Sequence, residues 1–223
     1  LAPALAEMWN ESSDCWNGFV SRETAQSVAK TEKTSPHLKL WLALDGKKVV
    51  GYCKLQQYAY DSDTLYIRLL NVHPAYHGHG IGKELVLRCV RETIKLGVPR
   101  LDLYTWAGNT KAVPLYKKCG FFWDNETEYT HLMNFLPGFI TSPLGKKLLA
   151  EMDWYADSAR VIEIKPDCFE SEGHILYSYI WKKGSSFVKA TYEHFGRGLV
   201  ALETDRWSVK LRASADKTVF GQE

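Results

Sequence analysis

The chain has 223 residues, of which 45% are hydrophobic and 24% are charged, and its formal net charge is +2. An apolar fraction of this size with so little net charge excludes a largely disordered chain. No stretch reaches the roughly 18 consecutive apolar residues that a membrane-spanning helix requires, so the sequence predicts a soluble protein. A charge this close to zero gives no overall field that would attract nucleic acid or anionic lipid.

The cysteines and the chain ends bear on where the protein works. The five cysteines are odd in number, widely spaced and without a C-x-x-C pair, which argues against a disulfide framework and favours a reducing cytoplasm. Residues 1–10 carry neither a basic region nor a long apolar run, so they do not resemble a signal peptide. Their pattern predicts a helix that would start before residue 1, and the pattern of the last residues predicts a strand. We therefore expect that both ends of the sequence are truncated.

Hydrophobic periodicity predicts alternating helices and strands in the first 136 residues. Residues 1–31 are typical of two helices, and the Asp45-Gly46 pair signals a hairpin turn. The later predicted elements are strands at 38–44, 49–55 and 65–72, a helix from Ile81 to about Ile94, a strand at 100–106, a short helix at 109–118, and strands at 121–123 and 129–135. The strand–helix–strand unit at 65–106 implies one parallel pair with a right-handed crossover. The prediction is a mixed α/β sheet flanked by helices.

The pattern changes beyond residue 136. Residues 143–154 predict a single helix, and short alternating runs typical of an antiparallel meander follow it. These runs are 161–164, 174–181, 186–192, 198–204 and 208–211. We therefore expect two domains, at residues 1–136 and 137–223, the second being smaller and β-rich. Its exposed strand edges would allow a homodimer.

Three glycines, Gly78, Gly80 and Gly82, lie between the strand at 65–72 and the helix that begins at Ile81. A glycine loop entering a helix presents unpaired N–H groups and the positive end of the helix dipole, which suits phosphate or pyrophosphate. The Walker pattern does not fit, because Glu84 stands where Ser or Thr is required. The dinucleotide fingerprint does not fit either, because the spacing is G-x-G-x-G.

Two patterns together point to a family. Residues 72–82 spell V-x-P-x-Y-x-G-x-G-I-G, and residues 109–121 spell N-x-x-A-x-x-L-Y-x-K-x-G-F. In this order, separated by one strand, they resemble the GNAT superfamily of acetyltransferases. The resemblance covers roughly residues 1–136 and implies the GNAT acyl-CoA N-acyltransferase fold, with acetyl-CoA as co-substrate and no metal. Family members usually begin with a strand before the first helix, and this sequence lacks it.

The resemblance also implies roles for individual residues. The pyrophosphate of acetyl-CoA would be bound by the backbone of loop 77–82, and the pantetheine arm would pair with the backbone near Leu70 and Val72. Backbone N–H near Leu70 would hold the oxyanion. Tyr116 would be the catalytic general acid that protonates the departing thiolate. The expected cofactor-binding residues are Leu70, Asn71, Val72, His77, Gly78, His79, Gly80, Ile81, Gly82, Lys83, Asn109, Ala112 and Tyr116.

The sequence also departs from the family at His77 and in the strand at 65–72. His77 stands where the family most often has Arg or Gln, which weakens a charge-assisted contact at neutral pH. The strand at 65–72 lacks the Glu that many relatives carry, so the general base stays open among Asp61, Asp63, His131 and a relayed water. The three histidines of the loop fit zinc poorly, because no nearby side chain completes the ligand set.

The functional hypothesis is an acetyl-CoA-dependent N-acetyltransferase that transfers the acetyl group directly to an amine in a ternary complex. The alternative is a catalytically degenerate acyl-CoA-binding or sensing module of a larger protein. We expect acetyl-CoA and an amine-bearing acceptor as partners, but no nucleic acid and no membrane. The sequence does not name the acceptor, because the same fold accommodates many.

Overall fold

A computed structural model describes residues 1–12, 22–35, 37–106, 109, 111–125, 129–134, 137–157, 163–171, 174–193, 199–213 and 218–222. The chain divides into two compact units. One is Leu1–Gln57 with Tyr66–Cys89, and the other is Tyr58–Leu65 with Val90–Glu223. The expected boundary between residues 136 and 137 stays a prediction.

The first unit is two helices and a hairpin, joined by most of a third strand and the start of a long helix. The elements are α1 (Ala2–Asn10), α2 (Ala25–Thr34), β1 (Lys39–Asp45), β2 (Lys48–Gln57), β3 (Thr64–Val72) and α3 (Ile81–Lys95), in the strand order β1-β2-β3. Asp45 pairs with Lys48 across the hairpin turn, and Gly46 adopts a φ of +56° there. The Asp-Gly turn and the flanking strands are therefore confirmed.

The core of the first unit lies between the two N-terminal helices and the sheet. Leu5, Met8, Val28, Val49 and Tyr52 are buried together in one cluster. The side chain of Thr24 accepts a hydrogen bond from the Ser27 N–H, and Ser27 Oγ accepts one from the Thr24 N–H, which forms a capping box at the start of α2. Burial of these apolar side chains holds α1 and α2 against β2.

Besides Tyr58–Leu65, the second unit comprises the end of α3 and the chain from there to the C-terminus. Its elements are β4 (Arg100–Trp106), α4 (Ala112–Lys118), β5 (Phe122–Asn125), β6 (Tyr129–Asn134), α5 (Pro137–Thr141), α6 (Pro143–Glu151), α7 (Asp153–Asp157), β7 (Glu163–Ser171), β8 (His174–Lys183), β9 (Ser186–Glu193), β10 (Leu199–Thr204), β11 (Ser208–Ala213) and β12 (Thr218–Gln222). β6 pairs antiparallel with both β4 and β5. Strands β7 to β12 form an antiparallel meander in sequential order, as predicted.

Two predicted elements differ from those observed. The helix expected at 143–154 is broken at Met152, which caps α6 with a non-helical backbone (φ −101°, ψ 27°), and a new helix begins at Asp153. Strand β7 is longer than expected. The predicted strand ended at residue 164 because Pro166 and Asp167 are poor strand formers, yet both residues pair with β8. Strand β12 lies in the last residues of the sequence, which were expected to form a strand.

None of the helices in the described ranges is long and apolar enough to cross a membrane.

Candidate active site

The loop between β3 and α3 owes its path to two glycines. After a short 3-10 turn at Pro74–Tyr76, Gly78 has a φ of +81° and Gly80 a φ of +78°. L-amino acid side chains rarely adopt this left-handed conformation. A Cβ added at either position would have no heavy atom within 4 Å. Glycine is therefore required here by the backbone conformation and not by lack of space.

The same loop presents a row of free N–H groups. The first bond of α3 runs from the Glu84 N–H to the Gly80 carbonyl at 3.0 Å. The N–H groups of the residues before Glu84 therefore have no partner in the preceding helical turn. Across the described ranges, the N–H groups of Gly78, Gly80, Ile81 and Gly82 have no hydrogen-bond acceptor. With the positive end of the helix dipole, they form a site suited to an anion.

His73 anchors this loop to the rest of the first unit. Its Nε2–H donates to Glu11 Oε2 at 2.9 Å, its Nδ1 accepts from the Ala75 N–H at 3.1 Å, and its own N–H donates to the Val50 carbonyl at 3.0 Å. Lys48 Nζ also donates to Glu11 Oε2, at 3.0 Å. Hydrogen bonds from Lys48 and, second, His73 lower the pKa of Glu11. These hydrogen bonds fix the position of His73, and with it the start of the loop.

The other two histidines use one ring nitrogen each within the loop. His77 Nε2–H donates to the Val72 carbonyl at 2.8 Å, and His79 Nδ1–H donates to the His77 carbonyl at 3.0 Å. Both side chains are exposed. In this arrangement the rings hold the shape of the loop, and the backbone carries the free donors.

Gly51 sets the distance between the sheet and α3. A Cβ at this position of β2 would lie 2.9 Å from Ile81 Cγ2 and 3.1 Å from Leu85 Cδ1. Only glycine lets the first turn of α3, and with it the loop, pack so closely on β2. Sequence reasoning missed this residue, although a glycine inside an apolar strand signals a close approach.

The end of β3 combines half-buried and buried residues. Leu70 and Val72 are half-buried, whereas Asn71 between them is only 2% exposed. Neither Nδ2 nor Oδ1 of Asn71 has a hydrogen-bond partner among the described residues. A buried amide with both ends unpaired is rare in native proteins, so this side chain calls for a partner.

In the second unit, Asn109 ties the start of α4 to the end of β4. Its Oδ1 accepts from the Ala112 N–H at 3.0 Å, and its Nδ2 donates to Thr105 Oγ1 at 2.8 Å. The helix α4 begins at Ala112, with Lys111 as its cap residue, and not at Asn109 as expected. The observed role of Asn109 is structural, and its contact with the cofactor stays a prediction.

Tyr116, the predicted general acid, lies in the middle of α4. Its side chain is 7% exposed, and its ring meets the edge of Phe121 at 6.2 Å between centroids. The backbone N–H of Phe121 donates to the Tyr116 carbonyl at 3.2 Å. The turn after α4 therefore packs directly on the phenol ring and restricts its orientation.

Lys117, the next residue, is fully buried, which the sequence did not predict. Its Nζ lies 4.4 Å from the centroid of the Tyr155 ring, and the ring of Tyr155 stacks near Phe122 at 6.0 Å. Burial lowers the pKa of Lys117 to about 7. Two consecutive lysines at 117 and 118 read as a solvated surface, and only tertiary packing distinguishes the buried one from the exposed one.

Asp61, one candidate for the general base, lies just before β3. Asp61 is buried and accepts from Thr64 Oγ1 at 2.6 Å and from the Asp63 N–H at 3.0 Å, as a turn-stabilising carboxylate does. The side chain of His131 lies outside the described residues.

Residues 5–121, just over half of the chain, match the acetyltransferase (GNAT) family. The chain therefore belongs to the GNAT family of acetyltransferases. The match confirms the resemblance found in the two sequence patterns, and with it the expected fold class and the expected class of enzyme, an acyltransferase of the GNAT type.

Curated relatives agree with this assignment. Mycothiol acetyltransferase of Corynebacterium glutamicum is 33% identical over 117 residues, which are 50% of this chain and 38% of that protein. Mycothiol acetyltransferase of Renibacterium salmoninarum is 38% identical over 66 residues, 29% of this chain and 20% of that protein. The chain thus spans less than two fifths of the length of these relatives.

Two solved structures resemble the chain over a little more than half its length. A protein of Pyrococcus horikoshii OT3 superposes with a TM-score of 0.50 and 20% identity, covering 59% of this chain and 90% of that one. The PaiA N-acetyltransferase of Thermoplasma acidophilum, solved in complex with coenzyme A, gives a TM-score of 0.49 and 19% identity, covering 60% and 91%. At such identity the Pyrococcus structure supports the fold alone.

Proposed function

We propose that this chain transfers an acetyl group from acetyl-CoA directly to an amine acceptor. The observation that carries the proposal is the set of free N–H groups at Gly78, Gly80, Ile81 and Gly82, at the start of α3. Membership of the acetyltransferase (GNAT) family supports the same conclusion. The co-substrate's pyrophosphate is the anion that such a site would bind.

The rest of the co-substrate follows from the position of the loop. The pantetheine arm would pair with the backbone at Leu70 and Val72 in the manner of an added strand. Lys83 is exposed in the first turn of α3, within reach of phosphate oxygens in that loop. At His77, the Nε2–H donates to the Val72 carbonyl and the backbone N–H donates to the Pro74 carbonyl at 3.1 Å, so both of these donors are already used within the loop.

The proposed chemistry is one acyl transfer. The neutral amine attacks the thioester carbonyl carbon, a C–N bond forms, and the developing oxyanion takes an N–H bond near Leu70. The C–S bond then breaks, and Tyr116 gives its phenolic proton to the CoA thiolate. The amine nitrogen releases its extra proton to solvent. After the product leaves, Tyr116 takes a proton from water and returns to its starting state.

The described cysteines favour direct transfer over an acyl-enzyme. Cys53, Cys89 and Cys119 are free thiols with no exposed surface. Burial raises the pKa of the Cys89 thiol. A buried, protonated thiol is a poor nucleophile. Direct transfer predicts that initial-rate plots against both substrates intersect, whereas an acyl-enzyme gives parallel lines.

Thiol release from acetyl-CoA, measured with a panel of small amines, tests the proposal. We expect amine-dependent release that falls by about two orders of magnitude in Tyr116→Phe, the typical contribution of a general acid. Tyr60→Phe, which removes a hydroxyl from an exposed ring, serves as the control. If CoA binds but no amine raises thiol release above hydrolysis, the chain is an acyl-CoA-binding module instead.

A further inference from the structure

A cavity lies within the second unit, where helices α6 and α7 meet the turns of the C-terminal meander. Its walls include Glu151 at the end of α6, Trp154 of α7, Ser186 at the start of β9 and Trp207 in the turn between β10 and β11. They enclose about 300 Å³, counting the part that is open to solvent. The cavity is formed by a part of the chain that the proposed acetyl transfer leaves without a role.

The turn between β10 and β11 is held in one shape by Thr204. Its Oγ1 accepts from the Arg206 N–H at 3.2 Å and from the Trp207 N–H at 3.3 Å, and its own N–H donates to the Trp207 carbonyl at 2.8 Å. Bonds from the following backbone to a Ser or Thr hydroxyl are typical of tight turns. The backbone of Trp207 is therefore fixed at the cavity wall, which makes this side of the site preformed.

Two indole rings line the cavity. Trp154 and Trp207 are both half-buried, so each keeps part of its surface accessible. The ring of Trp154 meets that of Tyr155 edge to face, with the centroids 6.1 Å apart. Tryptophan gives the strongest cation–π attraction of the aromatic side chains. Two accessible indoles on one small cavity therefore suit an apolar group or an organic cation.

The charges on the wall decide between these two kinds of ligand. Across the described ranges, the carboxylate of Glu151 is exposed and makes no hydrogen bond or ion pair. Asp205 Oδ2 lies 3.9 Å from Arg206 Nε, so these two charges largely offset each other. The wall thus carries one uncompensated negative charge, and a cation is favoured over a neutral apolar group.

The wall suits a quaternary ammonium better than a primary one. A primary ammonium carries three N–H donors that need acceptors. Thr204 Oγ1 already receives two backbone N–H groups, and Asp205 is paired with Arg206, which leaves Glu151 and Ser186. The indoles offer a primary ammonium no acceptor, whereas a quaternary ammonium has no N–H to satisfy and places its methyl groups on indole surface.

We propose that this cavity binds the quaternary ammonium group of a small soluble cation. The cavity shares no residue with the glycine loop, β3 or α4, so this binding is additional to the proposed acetyl transfer. The ligand carries no acidic group beside its cation, since Glu151 and Asp205 would repel it. In the described part of the chain, no cavity residue is among the strongly exposed large apolar side chains, so nothing at the cavity would anchor in a lipid bilayer.

Titration of the full chain, followed by NMR through the indole N–H resonances, tests the site. The probes are choline and its neutral isostere, in which a tert-butyl group replaces trimethylammonium. We expect choline to bind about five- to thirtyfold more tightly than the isostere, the range of a partly desolvated cation–π contact. The resonances of Trp154 and Trp207 should shift, whereas that of Trp106, an exposed ring outside the cavity, should not.

Two substitutions separate the charge from the rings. Glu151→Gln keeps the shape of the side chain and should remove most of the preference for choline, while the isostere binds as before. Trp207→Leu should weaken choline binding by a similar factor, and Trp106→Leu, the matched control, should leave it unchanged. Should Trp207→Leu fail to fold, Glu151→Gln decides on its own, since it replaces an exposed side chain.

Equal binding of choline and its isostere, no binding of choline, or an unchanged preference in Glu151→Gln would each overturn the site. Ethanolamine that binds as tightly as choline would contradict the preference for a quaternary ammonium. Sedimentation with phosphatidylcholine vesicles by a chain that does not bind free choline would overturn the assignment to a soluble ligand. None of these measurements involves thiol release, so their outcome is independent of the proposed transfer.

Discussion

His73 Nε2 lies 2.9 Å from Glu11 Oε2, which joins the start of the glycine loop to the C-terminal end of α1. The two residues are 62 positions apart in the sequence. His73 also accepts from the Ala75 N–H and donates its own N–H to the Val50 carbonyl, so three hydrogen bonds fix the start of the loop. The position of the N–H groups that are proposed to bind pyrophosphate thus depends on a contact with Glu11, outside the loop.

Removing this anchor should weaken binding of the co-substrate. We expect His73→Ala to raise the dissociation constant for CoA by about three- to tenfold, because the loss of these bonds lets the loop sample other conformations. Calorimetric titration measures the change. Lys48→Ala removes the other partner of Glu11 and should have a smaller effect. A His73→Ala variant that binds CoA as tightly as the parent would show that the loop holds its shape alone.

The close packing at Gly51 makes a prediction about stability. Gly51→Ala should lower the free energy of unfolding by about 1–3 kcal/mol, because its methyl group would overlap Ile81 and push α3 away from β2. Denaturant unfolding measures this value. Gly138→Ala is the matched control, since a Cβ there meets no heavy atom within 4 Å. An equal effect of both variants would contradict the packing argument.

Because Lys117 is buried, we expect the free energy of unfolding to depend on pH. Its pKa is lowered to about 7 in the folded chain, whereas the unfolded chain has the ordinary value of about 10.4. Between these values the unfolded state binds more protons, so stability rises with pH. From pH 7 to pH 8 the gain should be about 1 kcal/mol.

Lys117→Met should remove this pH dependence and stabilise the chain most at pH 7 or below, where the buried lysine is charged. Urea unfolding at a series of pH values measures the slope. Lys118→Met, a neighbouring exposed residue, should leave the slope unchanged. A parent protein whose stability falls from pH 7 to pH 9 would contradict the assignment to Lys117.

The sequence was sufficient to predict the turns and helices that are determined by residues close together in the chain. The β1–β2 turn follows from Asp45-Gly46, and α3 follows from its apolar stripe and the loop before it. The pairs that position the site are contacts between distant residues, such as His73 with Glu11 and Gly51 with Ile81, and periodicity carries no information about them. The buried state of Lys117 likewise depends on Tyr155 of α7.

Binding of CoA to the loop is the central claim, and a comparison of CoA with pantetheine tests it most directly. Pantetheine keeps the thiol arm and lacks the pyrophosphate. By calorimetric titration, we expect CoA to bind at least about 100-fold more tightly, since several charge-assisted N–H bonds are lost with the pyrophosphate. Gly80→Ala, which strains the loop at a φ of +78°, should remove most of that difference. Equal binding of the two molecules, or an unchanged preference in Gly80→Ala, would contradict the account.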